Sequence, residues 1–487
     1  MRSITEQAKI GAQVGMGAML THQAARGPDR PALTIGERIL TYGELESGAN
    51  RRAPVFSARE TQKDDLIAIG VRDGFEFHEA SFAVWKIGAT PAPISHRLVE
   101  SELGVILELM NPRVTLGVVT EQHNAAATFP AVWTPEVSTS YDPLADRTAS
   151  YWKANTYGLM LDDTVLMPAP LYHSAPFSFT NLALCWGAHV IEMQQFDPLE
   201  TLRLIEKHHI SWLYLVPNMM SQIWLLPEEV RTRYDLSLLE MMLRVTAPCA
   251  IWLKQAWIDW LSPEKIWETY GGTVAVGGTV ISGRERLDPK GSVGRSYLGK
   301  PSILDDCGRQ CVFGEVGNIC FLSTGGQQST LHYLGAQPQE QNGWDSYGDL
   351  GWLDADGYLY IANRRTDMIL TGDTNIYPAE TEAAIEEHPA VSSYVCVGLA
   401  DSDLGQRLQT ILELRNGCDV AEADDLEEFL TQRLVRFKWP YSYEVSLKPL
   451  RDEAGKVRRS ALLDERLELQ RQRVTFKSFQ RGRTMVS

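Results

Sequence analysis

A strand, helix, strand alternation that recurs along most of this chain constrains its fold more than any other feature. DLIAIGV (65–71) is followed by the helical pattern FEFHEASFAVWKIGA and then by TPAPI; VTLGVV (114–119) and TVLMPAP (164–170) precede FSFTNLALCWGA; HVIEM leads into LETLRLIEKHH and then ISWLYLVP. Short continuous apolar runs are what strands buried on both faces look like, and a parallel neighbour is reached only through a crossover, usually a helix. The pattern therefore predicts an α/β fold, a large N-terminal body of packed α/β sheets covered by helices. After about residue 290 it changes: GEVGNICFL, GYLYIAN and their Gly/Asp-rich turns read as a β-rich subdomain of short antiparallel strands. From about 367 comes a separate small α+β unit, with strands at SSYVCVGLA, LQTILELR and SYEVSL and helices at AETEAAIEEH and EADDLEEFLTQRL.

At 487 residues the chain exceeds the usual span of one domain. It carries 46 Lys+Arg against 62 Asp+Glu, a formal net charge of −16, which opposes adhesion to nucleic acid or to an anionic membrane surface. No stretch reaches the roughly 18 apolar residues of a membrane span. MRSITEQAKIGAQVGMGAML is broken by Glu6, Gln7, Lys9 and Gln13, so it reads as a surface helix and not as a secretion signal. Seven cysteines with no CxxC pair, Cys307 and Cys311 among them, predict reduced thiols in a cytoplasmic protein. Against the overall charge, residues 431–487 hold 14 Lys+Arg and 6 Asp+Glu, locally +8. A mobile basic element closing on an acidic body would suit an anionic substrate, although 471–487 also reads as a solvated tail.

Several segments, in one order from LTYGELESGANRRA (40–53) to GKVRRSALL (455–463), resemble the superfamily of AMP-forming adenylating enzymes: acyl- and aryl-CoA synthetases, peptide synthetase adenylation domains, luciferases and amide bond synthetases. The resemblance implies an adenylation body over 1–366 and a C-terminal lid over 367–487. In SYGDLGWLDADGYLYIANRRTDMILTGDTNIYPAE it implies that Asp349 holds the ribose hydroxyls, as a carboxylate accepting from a diol can, and that Arg364 serves the ribose or the phosphates. Thr366 falls at the interdomain hinge, where the family often has a charged residue. In PLRDEAGKVRRSAL the catalytic lysine falls on Lys456, an ammonium that neutralises charge growing at the α-phosphate, with Gly455 allowing close approach.

Within PAPLYHSAPFSFT, His173 fits the position that lines the acyl pocket and the path of the second substrate; a satisfied core histidine is the plainer reading. TAPCAIWLKQAWIDWL implies Ala247 and Pro248 beside adenine, and WETYGGTVAVGGTVISG implies Tyr270, Gly271, Gly272 and Thr273 at the nucleotide phosphates. Gly372 belongs to the acceptor channel, where Asp373 replaces the second Gly of many CoA ligases.

Two departures stand out. Val274 occupies the place of the family Glu that helps hold Mg²⁺, and an aliphatic side chain offers no oxygen to that ion. In addition, DPLADRTASYWKANTYGLMLDD (142–163) contains Gly158 and Lys153 but no Gly-rich phosphate loop. Either loop residues are missing between YWKA and NTYG in the sequence as written, or the chain has lost them. The expected function is ATP- and Mg²⁺-dependent activation of an aryl or fatty acid as acyl-adenylate, followed by transfer to CoA, a carrier-protein thiol or an amine, with the flavour of bacterial secondary metabolism. The alternative is a degenerate member, an ATP-independent acyltransferase or a non-catalytic partner.

Overall fold

The structure, a computed structural model, describes residues 15–98, 100–117, 157–159, 162–245, 249, 251–271, 277–285, 291–322, 340–341, 344–364, 367–371, 374–401, 404–415, 418, 426–452 and 455–471. In chain order come α1 (Met16–Arg26), β1 (Pro31–Ile35), β2 (Arg38–Thr41), α2 (Tyr42–Ser57), β3 (Leu66–Ile69), α3 (Phe75–Lys86), β4 (Thr90–Pro93), α4 (Glu100–Met110) and β5 (Val114–Leu116). They are followed by β6 (Thr164–Met167), α5 (Ser174–Trp186), β7 (His189–Glu192), α6 (Pro198–His208), β8 (Trp212–Leu215), α7 (Pro217–Trp224) and a short α8 (Glu228–Arg231). Then follow β9 (Met241–Arg244), α9 (Ile251–Leu261), β10 (Ile266–Gly271), β11 (Gly278–Ser282) and β12 (Arg295–Leu298).

These strands form two sheets. The larger has the order β12-β11-β10-β9-β8-β6-β7-β1-β2, parallel from β10 through β1 and antiparallel at both margins. The smaller is an all-parallel β4-β3-β5. The central strands are apolar on both faces, WLYL of β8 being buried throughout, which is what helices on each side require. Local chemistry sets the helix ends. Thr41 and Glu44 form a reciprocal capping box at the start of α2, Asp197 with Pro198 opens α6, and Gly187 at φ +89° closes α5.

The β-rich part comprises β13 (Lys300–Leu304), β14 (Gly317–Leu322), β15 (Glu340–Gln341), β16 (Trp344–Leu353) and β17 (Leu359–Arg364), antiparallel throughout around Val293, Ile303, Ile319, Phe321 and Leu359. The smaller C-terminal part contains β18 (Ile369–Thr371), β19 (Thr374–Ile376), α10 (Pro378–Glu386), β20 (Val391–Asp401), β21 (Gly405–Leu414), α11 (Leu426–Thr431), β22 (Ser442–Val445) and α12 (Arg459–Arg471). Its strands form one sheet, β19-β18-β21-β20 with β22 beside β21. Its apolar clusters share no residue with the cluster of the large sheet. Among the described residues no helix is long and apolar enough to cross a membrane.

Candidate active site

In an open parallel sheet, loops leaving the carboxyl ends of the strands build the ligand crevice. Four such ends meet here. The turn after β6 leads to His173, the turn after β8 to Asn218, β9 to the segment containing Ala247 and Pro248, and β10 ends on Tyr270 and Gly271.

His173 caps the start of α5, its ring 4.5 Å from that of Tyr172 and its side chain 13% exposed. Asp452 Oδ2 lies 3.8 Å from its Nε2, beyond hydrogen-bonding distance. That carboxylate favours a protonated ring, but burial first, and then the cations of Lys456 and Arg458, push the imidazole down to about 3. His173 is therefore neutral at physiological pH.

Lys456 sits in a tight turn made by its own neighbours. Asp452 Oδ1 accepts from the Lys456 N–H at 2.8 Å, the Asp452 N–H donates to the Lys456 carbonyl at 2.9 Å, and the Gly455 N–H donates to the Asp452 carbonyl at 2.8 Å. Gly455 has φ +71° and is buried; a Cβ there would stand 3.2 Å from Asn218 Cβ and 3.4 Å from Val216 Cγ2. The turn thus rests its backbone on the start of α7. Beside it Arg458 donates to Glu102 of α4 at 2.8 Å. So Lys456 and His173, distant in sequence, come together, whereas Asp452, Asn218 and Glu102 were not picked out beforehand because only tertiary packing brings them there.

On the opposite side Asp349, 7% exposed on β16, accepts a 2.7 Å hydrogen bond from the Tyr270 hydroxyl. It pairs in register with Arg364 of β17. Tyr347, two residues before Asp349, donates its hydroxyl to the Gly277 carbonyl at 2.7 Å and accepts the Gly277 N–H at 3.0 Å. These bonds pin the exit of the β10–β11 turn. A Cβ on Gly277 would meet the Phe321 ring at 2.1 Å, so only glycine fits.

Behind Tyr270, Glu268 of β10 pairs with Arg244 of β9, and its carboxylate lies 3.0 Å from Lys254 of α9; all three are at most 9% exposed. Charged residues at strand positions in MMLR and IWETYG were the available signal for this cluster.

Beside the predicted hinge, Asp367 forms an ion pair with Arg459 at 3.1 Å, and Arg459 also holds Glu382 at 2.7 Å. A charged anchor thus stands one position after Thr366. Thr366 itself, Ala247, Pro248, Gly272, Thr273, Val274 and Gly372 lie outside the described residues, as does 118–156, which takes in most of the 142–163 segment that lacks a Gly-rich loop. The side chain of Arg364 is likewise not described. Among the described residues no group of three or more His, Cys, Asp and Glu is arranged to hold a metal ion.

Compared with known families, residues 20–158 and 117–334 match the AMP-binding enzyme model. The chain belongs to the AMP-binding enzyme family. The two matches overlap over 117–158. A long-chain-fatty-acid–CoA ligase of Bacillus subtilis is 30% identical over 314 residues, 63% of this chain and 55% of that protein. The o-succinylbenzoate CoA synthetase of Bacillus subtilis, solved with an acyl-adenylate intermediate, superposes with a TM-score of 0.75 at 23% identity, covering 91% of this chain and 97% of its own. The amide bond synthetase Mcba of Marinactinospora thermotolerans, solved as a lysine-to-alanine mutant, gives 0.73 at 18% identity, over 93% and 100%. The class of enzyme is that of the AMP-forming ligases.

Proposed function

We propose that this protein uses ATP to activate a carboxylic acid and then passes the acyl group to a thiol or an amine. A carboxylate oxygen attacks the α-phosphorus as the bond to pyrophosphate breaks. A sulfur or nitrogen nucleophile then attacks the acyl carbon, AMP leaves, and the nucleophile's proton passes to solvent. In this reading Asp349, oriented by Tyr270, accepts from the ribose hydroxyls, with Arg364 beside it. Ala247 and Pro248 flank adenine; Gly271, Gly272 and Thr273 face the phosphates. Lys456 offsets charge at the α-phosphate, and neutral His173 borders the acid without taking its proton. Residues 1–366 act as body and 367–487 as a lid turning about Thr366, and Gly372 borders the acceptor. Val274 supplies no ligand to Mg²⁺.

The observation that supports this reading best is the convergence of the Lys456 turn with His173 at the carboxyl ends of the parallel strands. A second reading, a member that has given up ATP, draws on Val274 and on the missing Gly-rich loop. One assay separates the two. Protein of verified intact mass is expected to release pyrophosphate dependent on an acid from a panel of aryl and fatty acids. Lys456→Ala is expected to slow that release by roughly two to three orders of magnitude. Silence across the panel would leave the second reading.

A further inference from the structure

A buried polar cluster lies beneath the turn that carries His173. Asp73, just before α3, accepts the Leu171 N–H through Oδ2 at 2.9 Å. Leu171 is two residues from His173, whose own N–H donates to the Pro170 carbonyl. Below, His78 of α3 meets Glu192, the last residue of β7, at 2.6 Å, and the two are 0% and 3% exposed. α3 and α5 are locked together beside this cluster by edge contact of Phe77 with Phe177, ring centroids 5.9 Å apart, and by Trp85 against the same ring at 5.6 Å.

Asp73 is half-buried, and a carboxylate partly withdrawn from water costs stability unless its hydrogen bonds fix something. From the His173 turn, the Leu171 N–H is gripped by Asp73. The charged and titratable neighbours of Asp73 are Glu192 from β7, His78 from α3, and Arg97. Burial, and then Glu192, push its carboxyl up to about 6, while the Leu171 N–H, His78 and Arg97 pull it down.

We infer that Asp73, through its hydrogen bond from the Leu171 N–H, is a positioning residue that holds the Leu171–His173 turn in place. What the turn does with an acid rests on the function proposed above; that Asp73 holds it does not. The experiment therefore needs no turnover. His173 in the ligand-free full chain is modified with diethylpyrocarbonate at pH 7, and the rate is read from peptide masses. His189 of β7, held to Thr34 at 2.7 Å, reports opening of the large sheet, and His388, fully buried, reports opening of the C-terminal part; a rise in either marks unfolding. Asp73→Ala removes the acceptor, whereas Asp73→Asn keeps an oxygen for the Leu171 N–H. Asp73→Ala is expected to speed His173 labelling about fivefold to tenfold, the equivalent of one lost hydrogen bond, with His189 and His388 unchanged and Asp73→Asn close to wild type. Equal labelling of His173 in wild type and Asp73→Ala overturns the inference. So does a rise in Asp73→Asn as large as in Asp73→Ala, or a rise shared by His189 or His388. If Asp73→Ala does not fold, Asp73→Leu, which fills the space and lacks an acceptor for the Leu171 N–H, takes its place with the same expected rise and the same overturning result.

Discussion

The protonation of His173 is set by its surroundings more than by its own chemistry. With its folded value lowered to about 3 from an ordinary 6.5, the neutral ring is favoured by the fold. The unfolded chain takes up a proton first as pH falls, so this stability is complete above 6.5 and is lost progressively between 6.5 and about 3. Each pH unit in that window costs about 1.4 kcal/mol. His173→Gln, which cannot be protonated, is expected to lose less thermal stability than wild type between pH 7 and pH 5, measured by calorimetry. A parallel loss in the two proteins would mean that the ring is already free to take its proton.

At the scale of elements, Arg459 opens α12 three residues after Lys456 and reaches both Asp367 and Glu382. It thereby ties Asp367, next to the proposed hinge, and Glu382 of α10 to the start of the helix that follows the Lys456 turn. Arg459→Ala leaves two partly buried carboxylates without that cation, a cost of about 2–3 kcal/mol. The expected result is a lower melting temperature for the C-terminal part, with the large sheet's amide protection unchanged in hydrogen exchange.

The alternation of apolar strands and amphipathic helices was legible in the sequence because both carry a local period, and β6, β7 and β8 lie where TVLMPAP, HVIEM and ISWLYLVP indicated. α12 was not anticipated, its RSALLDERLELQR being mostly polar. Tyr270 and Asp349 were singled out through resemblance alone. Their mutual hydrogen bond, the grip of Tyr347 on Gly277 and the Asp73 cluster join residues 70 or more positions apart, and no local pattern encodes such pairings.

For the whole molecule, the ion pair described between the basic end and the body is of a weak kind. The Arg458–Glu102 pair has side chains 63% and 39% exposed, so salt screens it and its worth is at most about 1 kcal/mol. Arg458→Glu is expected to shift the ensemble toward undocked forms, seen as a larger radius of gyration by small-angle scattering. The melting of the body should change little. An unchanged radius would indicate that the docked arrangement is held by something other than charge.

What then registers the docked position is the absence of a side chain at Gly455. The turn sits on Asn218 and Val216 with only a methyl's clearance, so moving the basic end away by about the thickness of one carbon breaks the fit as a whole. Contact of that kind has short range and almost no grip at a distance. If the C-terminal part turns as proposed, this contact would act like a detent in a mechanism, fixing where the lysine stops while adding little resistance to its leaving, so that the dwell there would be left to whatever charge occupies the crevice.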